Sequence, residues 1–302
     1  MGHSPEAATV IPADVMQQIQ RMHIRTRRVV NDLLSGQYES VFKGQGMVFK
    51  EVREYVPGDD VRSIDWNVTA RTGQPHIKVM TEEREQTVML VVDGSASGRF
   101  GSRSRLKSEL AAELCAVLAY SAIKNNDKVG LLIFTEQVEL FVRPQKGRKH
   151  VLRVIRELLC FEPTGTGTNL AGALDYLNQV IARHAIVFIV SDFLAAKYES
   201  ALRITRRKHD TIAVAVDDPR EFVLPNVGVI SVRDCETGKE AVVDTGSRTL
   251  REAYEEDGER RRSHRSAVLK RARVDVIEVR TDTGYVDALH RFFRMRERRM
   301  LA

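Results

Sequence analysis

Asp93, Ser95 and Ser97 occupy alternate positions in Asp93-Gly94-Ser95-Ala96-Ser97, directly after the apolar run Val88-Met89-Leu90-Val91-Val92. One carboxylate and two hydroxyls spaced this way can turn toward a common point. Oxygen-only donors suit a small hard cation such as Mg²⁺, or Mn²⁺ or Ca²⁺ in its place, far better than zinc or copper. An apolar run ending in Asp reads as a buried parallel strand whose carboxyl end opens into a polar loop. In open α/β sheets, ligands collect at that edge. Two later segments supply more oxygen. Gly165-Thr166-Gly167-Thr168-Asn169-Leu170 is a glycine-rich loop with threonine hydroxyls before a helical pattern, and Ile186-Val187-Phe188-Ile189-Val190-Ser191-Asp192 is a second buried-strand run ending in Asp. Each alone has a plainer reading, as a turn or helix cap. Three in this order favour convergence of Asp93, Ser95, Ser97, Thr168 and Asp192 on one cation.

Asp-x-Ser-x-Ser, then Thr, then Asp resembles the metal-ion-dependent adhesion site of von Willebrand factor A domains. The resemblance assigns direct or water-mediated metal contacts to those five residues. Thr168, followed by Asn169-Leu170, matches the family's threonine better than Thr166 does.

Around these segments the chain alternates strand and helix from Thr87 onward. Strands are expected at Val88–Asp93, Val129–Phe134, Ile186–Ser191, Ile212–Val216 and Val274–Val279. Val138–Val142 follows a tight turn and should pair antiparallel at an edge. Helices are expected at Ser104–Lys124, Lys149–Leu159, Leu170–Arg183, Ser247 to about Arg271, and Asp287–Met300. The expected fold is a doubly wound, mostly parallel α/β sheet with one antiparallel edge strand, as in von Willebrand A domains. It occupies residues 87–302, with a hairpin inserted near 227–245. A tail and amphipathic helix precede it in residues 1–36, and a small β-rich element in 37–86.

Composition bounds the function. Of 302 residues, 43% are hydrophobic and 29% charged, ordinary for a soluble globular protein. No apolar run reaches the roughly 18 residues that cross a bilayer, and no signal-peptide pattern opens the chain, so a cytoplasmic location is expected. Cys115, Cys160 and Cys235 carry no zinc spacing and read as buried free thiols. The formal net charge is +6. The first of its late basic clusters interleaves with Glu252, Glu255, Glu256, Asp257 and Glu259, as on a solvated helix face, and the basic residues lack the interleaved aromatics a single-strand binder uses.

Arg53-Glu54-Tyr55-Val56-Pro57-Gly58-Asp59-Asp60-Val61-Arg62-Ser63-Ile64-Asp65-Trp66, continuing through Thr69-Ala70-Arg71-Thr72-Gly73, is similar to the signature of a bacterial family named domain of unknown function 58. The resemblance covers roughly residues 40–280. It implies a non-enzymatic partner of MoxR-type AAA+ ATPases, acting with them on a further client protein in chaperone-like maturation or remodelling of complexes. Arg53, Asp59, Asp60, Arg62 and Arg71 are then candidates for a docking face. The plainer reading is structural, with salt bridges and a buried Trp66 pinning the element in place.

A cation held by so few carboxylates stays partly hydrated and can exchange a water for a partner's carboxylate. Metal-dependent protein binding is therefore the expected function. The alternatives are Mg²⁺-dependent phosphoryl transfer or hydrolysis at the same edge, and nucleic-acid binding through the late basic clusters. Against an enzyme, the strand-end loops show no lysine placed as a phosphate clamp and no histidine base. Gly-x-x-x-x-Gly-Lys-Ser/Thr is absent, and Ser95 has no base partner. His150, His184 and His209 fall at expected element ends, where solvated or capping roles are common.

Overall fold

The computed structural model describes residues 30, 38, 41–42, 47–82, 85–102, 105–235 and 237–301. Apart from Val30, the expected N-terminal helix lies outside the described residues. Two compact units emerge, one spanning Phe42–Gln86 and the other comprising the described residues outside it.

In the smaller unit, β1 (Met47–Glu54) pairs antiparallel with β2 (His76–Glu82), and helix α1 (Trp66–Thr72) lies in the connection between them. The sequence reading held only β structure here. Helix α1 forms because Asp65 caps it, accepting from the amides of Asn67 at 3.0 Å and Val68 at 3.3 Å. Gly73 ends it at φ 75°, a conformation a side chain would resist.

The larger unit begins with β3 (Thr87–Asp93), α2 (Lys107–Lys124), β4 (Lys128–Phe134), β5 (Val138–Gln145) and α3 (Arg148–Leu159). It continues with α4 (Leu170–Val180), β6 (Ile186–Ser191), α5 (Glu199–Lys208) and β7 (Asp210–Asp217). The hairpin β8 (Val229–Arg233) and β9 (Glu240–Asp244) follows, then α6 (Arg248–Arg271), β10 (Asp275–Arg280) and α7 (Val286–Leu301). Helix α5 had no counterpart in the sequence reading. The central sheet runs β10-β7-β6-β3-β4-β5, parallel throughout except for β5 at one edge. It is the mostly parallel, doubly wound α/β sheet expected.

Strand alternation explains the two layers. Met89, Val91, Val187, Ile189, Ala213 and Ala215 face a core built with α4, α5 and the end of α6. The alternate residues face the other way, where α2 packs on β3, β4 and β7. Leu110, Leu114 and Leu118 of α2 are fully buried, each stabilising by about 1.5–3 kcal/mol relative to exposure. Strands buried on both faces need apolar residues at every position, which is why β3 and β6 read as unbroken apolar runs.

Chain order reverses between β3 and β6: β4 lies on one side of β3, and β6, β7 and β10 on the other. The register pairs Val92 with Val190, so Asp93 and Ser191 end side by side and Asp192 follows one residue on. Loops diverge at such a switch point and leave a crevice.

Candidate metal centre

Asp93 closes β3 and turns its carboxylate back into the loop. Its Oδ1 accepts from the Ser95 amide at 3.0 Å, and its Oδ2 from the Ser191 hydroxyl at 2.7 Å. Gly94 is required between them, because a Cβ there would lie 2.5 Å from the Phe161 ring and 2.9 Å from Ile133. The Ser95 and Ser97 hydroxyls lie 3.1 Å apart, and Ser97 donates to Asp192 Oδ2 at 3.1 Å. Asp93, Ser95, Ser97 and Asp192 thus form one connected group. Asp93, Ser97, Ser191 and Asp192 line a cavity of about 20 Å³, room for one water-sized occupant.

Thr168 reaches the same edge by another route. The Ala96 amide donates to the Thr166 carbonyl at 3.3 Å, joining the serine and threonine loops. Thr168 is half-buried there and does not line the cavity. Asn169, rather than Thr168, caps α4, accepting from the Gly172 amide at 2.9 Å. Two carboxylates from β5 and its turn brace the threonine loop. Glu139 accepts from the amides of Thr164 at 2.8 Å and Gly165 at 2.9 Å, and Glu136 from Gly167 at 3.0 Å. Neither drew notice in the sequence, where nothing links them to residues some 30 positions on.

The sequence reading found no lysine at this edge; the structure puts Lys107 there. Its ammonium contacts Asp192 Oδ2 at 2.8 Å and Glu221 Oε1 at 2.7 Å. Arg265 adds support from α6, pairing with both oxygens of Asp217 at 2.6 and 2.7 Å and donating to the Asp192 carbonyl at 3.0 Å. Phe193, next in the chain, holds φ 57° with its ring buried, an uncommon conformation for a bulky residue.

The electrostatics differ between the two aspartates. Burial, and then the neighbouring Asp192 charge, push the Asp93 carboxyl up to about 6. Burial alone would also raise Asp192, but the Lys107 ammonium holds it below the usual carboxylate range. Among the described residues no cationic side chain pairs with Asp93. A half-buried carboxylate without a counter-charge, ringed by hydroxyls, fits a hard divalent cation. The donors are two carboxylates plus hydroxyls; among the described residues no three or more His, Cys, Asp or Glu side chains are grouped so as to hold a metal ion by themselves.

The other candidates divide. Arg53 and Asp59 form a two-pronged pair at 2.8 and 2.7 Å, and Asp59 also accepts from the Val56 amide at 2.9 Å, so together they clasp a turn. Asp60 caps the next turn through the Arg62 amide at 2.9 Å. Arg62 and Arg71 are exposed, and neither side chain pairs among the described residues. Trp66, expected to be buried, is 70% exposed, with Val56 and Val61 exposed nearby in sequence. It stands first in α1, at the exposed start of a short helix. Cys115 is buried as expected, but Cys160 and Cys235 are exposed. His150 and His209 are buried rather than solvated.

The fold and site together define an α/β protein carrying a carboxylate–hydroxyl cluster at the switch point of its sheet. The chain belongs to the family described as protein of unknown function DUF58, whose model matches residues 51–264. It is 30% identical over 289 residues to the uncharacterized protein Rv1480 of Mycobacterium tuberculosis (strain ATCC 25618 / H37Rv), covering 94% of this chain and 90% of the relative. A shorter match, 28% identical over 111 residues, links it to the uncharacterized protein YeaD of Bacillus subtilis (strain 168), covering 37% of this chain and 26% of that protein. Among solved structures, an aerotolerance-related membrane protein from Bacteroides fragilis covers 71% of this chain and 100% of its own, at 16% identity and a TM-score of 0.48. The conserved hypothetical protein BatB from Bacteroides thetaiotaomicron covers 70% and 99%, at 15% identity and a TM-score of 0.45. Among the described residues no helix is long and apolar enough to cross a membrane.

Proposed function

We propose that this chain is a non-enzymatic, metal-dependent protein-binding module of the von Willebrand A type. Asp93, Ser95, Ser97, Thr168 and Asp192 would hold Mg²⁺, with Mn²⁺ or Ca²⁺ able to substitute. The observation that carries this reading is the meeting of Asp93 and Asp192 at one sheet edge, bridged by Ser97 at 3.1 Å from Asp192. When bound, the ion supplies a positive charge with exchangeable positions for an acidic group of another protein. The chain's own residues fix the loops and keep Asp93 largely from water, so binding the cation relieves a poorly solvated charge.

A binding role is favoured over catalysis by the state of the polar groups. The Ser97 hydroxyl donates to a carboxylate kept ionised by Lys107. Burial would lower the Lys107 ammonium, but Asp192 and Glu221 raise it well above its ordinary value. It therefore makes a poor general base for Ser95 or Ser97.

The partner in this reading is a MoxR-type AAA+ ATPase, with a client protein as the object of their joint chaperone-like action in the cytoplasm. Exposed Trp66, with Arg62 and Arg71, whose side chains pair with nothing among the described residues, supplies the residue types that dominate binding energy at interfaces. The test is co-purification of chain and ATPase in Mg²⁺ and then in chelator. Asp93→Ala should remove both metal binding and metal-dependent association while leaving the fold intact. Association unchanged by chelator would refute the mechanism, and Asp93-dependent turnover of phosphate esters would favour the enzyme instead.

A further inference from the structure

We infer that Lys107 is a tethered counter-cation that sets how tightly the cluster holds a divalent ion, an inference that rests on the metal reading above. Lys107 is the first residue of α2, where the helix dipole disfavours a positive charge. Its side chain is only 4% exposed, and burying an ammonium is costly unless it is well paired. Both penalties are met by two carboxylates, Asp192 Oδ2 at 2.8 Å and Glu221 Oε1 at 2.7 Å.

The charge count gives this arrangement a purpose. Asp93, Asp192 and Glu221 bring three negative charges against one ammonium when all are ionised, leaving two uncompensated, which one divalent ion would neutralise. The position of Lys107 matters as much as its charge. Asp192 Oδ2 accepts from both Lys107 and Ser97, so an ion approaching Asp93, Ser95 and Ser97 must share that carboxylate with the ammonium. Lys107 also lines the cavity beside Asp93, where it repels any cation that enters. Glu221 gives the ammonium a second partner, so it can release Asp192 without being stranded. A site built this way binds an ion less tightly than its carboxylates alone would, and lets it leave.

The experiment is a Mn²⁺ titration of the full chain by calorimetry or electron paramagnetic resonance, with thermal melts to check folding. Lys107→Met should tighten Mn²⁺ binding about tenfold or more, whereas Lys107→Arg, which keeps the charge, should stay close to wild type. Equal or weaker binding by Lys107→Met overturns the inference, as does equal tightening by both variants, because charge would then not be the cause. If Lys107→Met does not fold, Glu221→Gln replaces it. That variant leaves Asp192 as the only carboxylate paired with Lys107 and should weaken Mn²⁺ binding; unchanged or tighter binding overturns the inference. Absence of Mn²⁺ binding in wild type and variants alike sinks the metal reading and this one with it. A wild type that binds beside indifferent variants sinks only the role of Lys107.

Discussion

The Ser191 hydroxyl donates to Asp93 Oδ2 at 2.7 Å, across the one junction in the sheet where chain order reverses. It fixes the carboxylate without neutralising it. In chelator, Asp93→Asn should therefore raise stability by about 1–3 kcal/mol, because a half-buried, uncompensated charge is removed. In excess Mn²⁺ the order should invert, since wild type gains binding energy that the variant cannot. Urea unfolding under both conditions checks this, and a wild type indifferent to Mn²⁺ would contradict it.

Glu139 should control the order of the threonine loop. Burial pushes its carboxyl up, but donors from Thr135, Thr164 and Gly165 bring it down to about 2. The folded value lies below the unfolded one, so this contribution is complete above about pH 4.5 and lost as pH falls through 2. Glu139→Ala should speed hydrogen exchange at the Thr164 and Gly165 amides by about tenfold or more. Unaltered protection would mean that the loop is held by other contacts.

His209 predicts a pH dependence at the opposite edge of the sheet. It is 1% exposed, and neither ring nitrogen has a hydrogen-bond partner among the described residues. Burial first, then the Lys208 and His184 charges, push it down to about 4. Between about pH 6.5 and 4 the unfolded chain binds the extra proton, so stability falls as pH drops through that window. The loss amounts to at most about 3 kcal/mol. His209→Gln should flatten this part of the profile relative to wild type; parallel curves would exclude the assignment.

Trp66 should matter to association and not to folding. It is the single tryptophan of the chain, so its fluorescence reports this face alone. Emission should be that of a solvated indole, and Trp66→Ala should change unfolding free energy by no more than about 0.5 kcal/mol. Co-purification with the proposed ATPase partner should weaken. A large stability loss without any effect on association would return Trp66 to a structural role.

The sheet was readable from the sequence because strands buried on both faces leave unbroken apolar runs, as at Val88–Val92 and Ile186–Val190. The carboxyl-end position of Asp93 and Asp192 followed from the same runs. What escaped notice depends on pairings distant in sequence. Lys107 gave no sign of its role, because Glu221, its second partner, lies 114 positions away. Glu136 and Glu139 carry no sequence signal, because the amides they hold belong to Thr164, Gly165 and Gly167 in a distant loop. Helix α5 buries only Ala201, Leu202 and Thr205 beneath a run of arginines, so its apolar stripe is faint. Trp66 was misjudged for another reason: a lone indole among charges usually marks a core, and here it begins a short helix facing outward.

The register of β5 against β4 shifts twice, and Pro144 lies within the strand. A kinked border with a missing donor offers a poor template for another chain. Intermolecular strand addition, and the fibrillar stacking that can follow from it, is thereby discouraged on that flank. In the proposed binding role, contact should come through the loops at the strand tips rather than through the β5 edge.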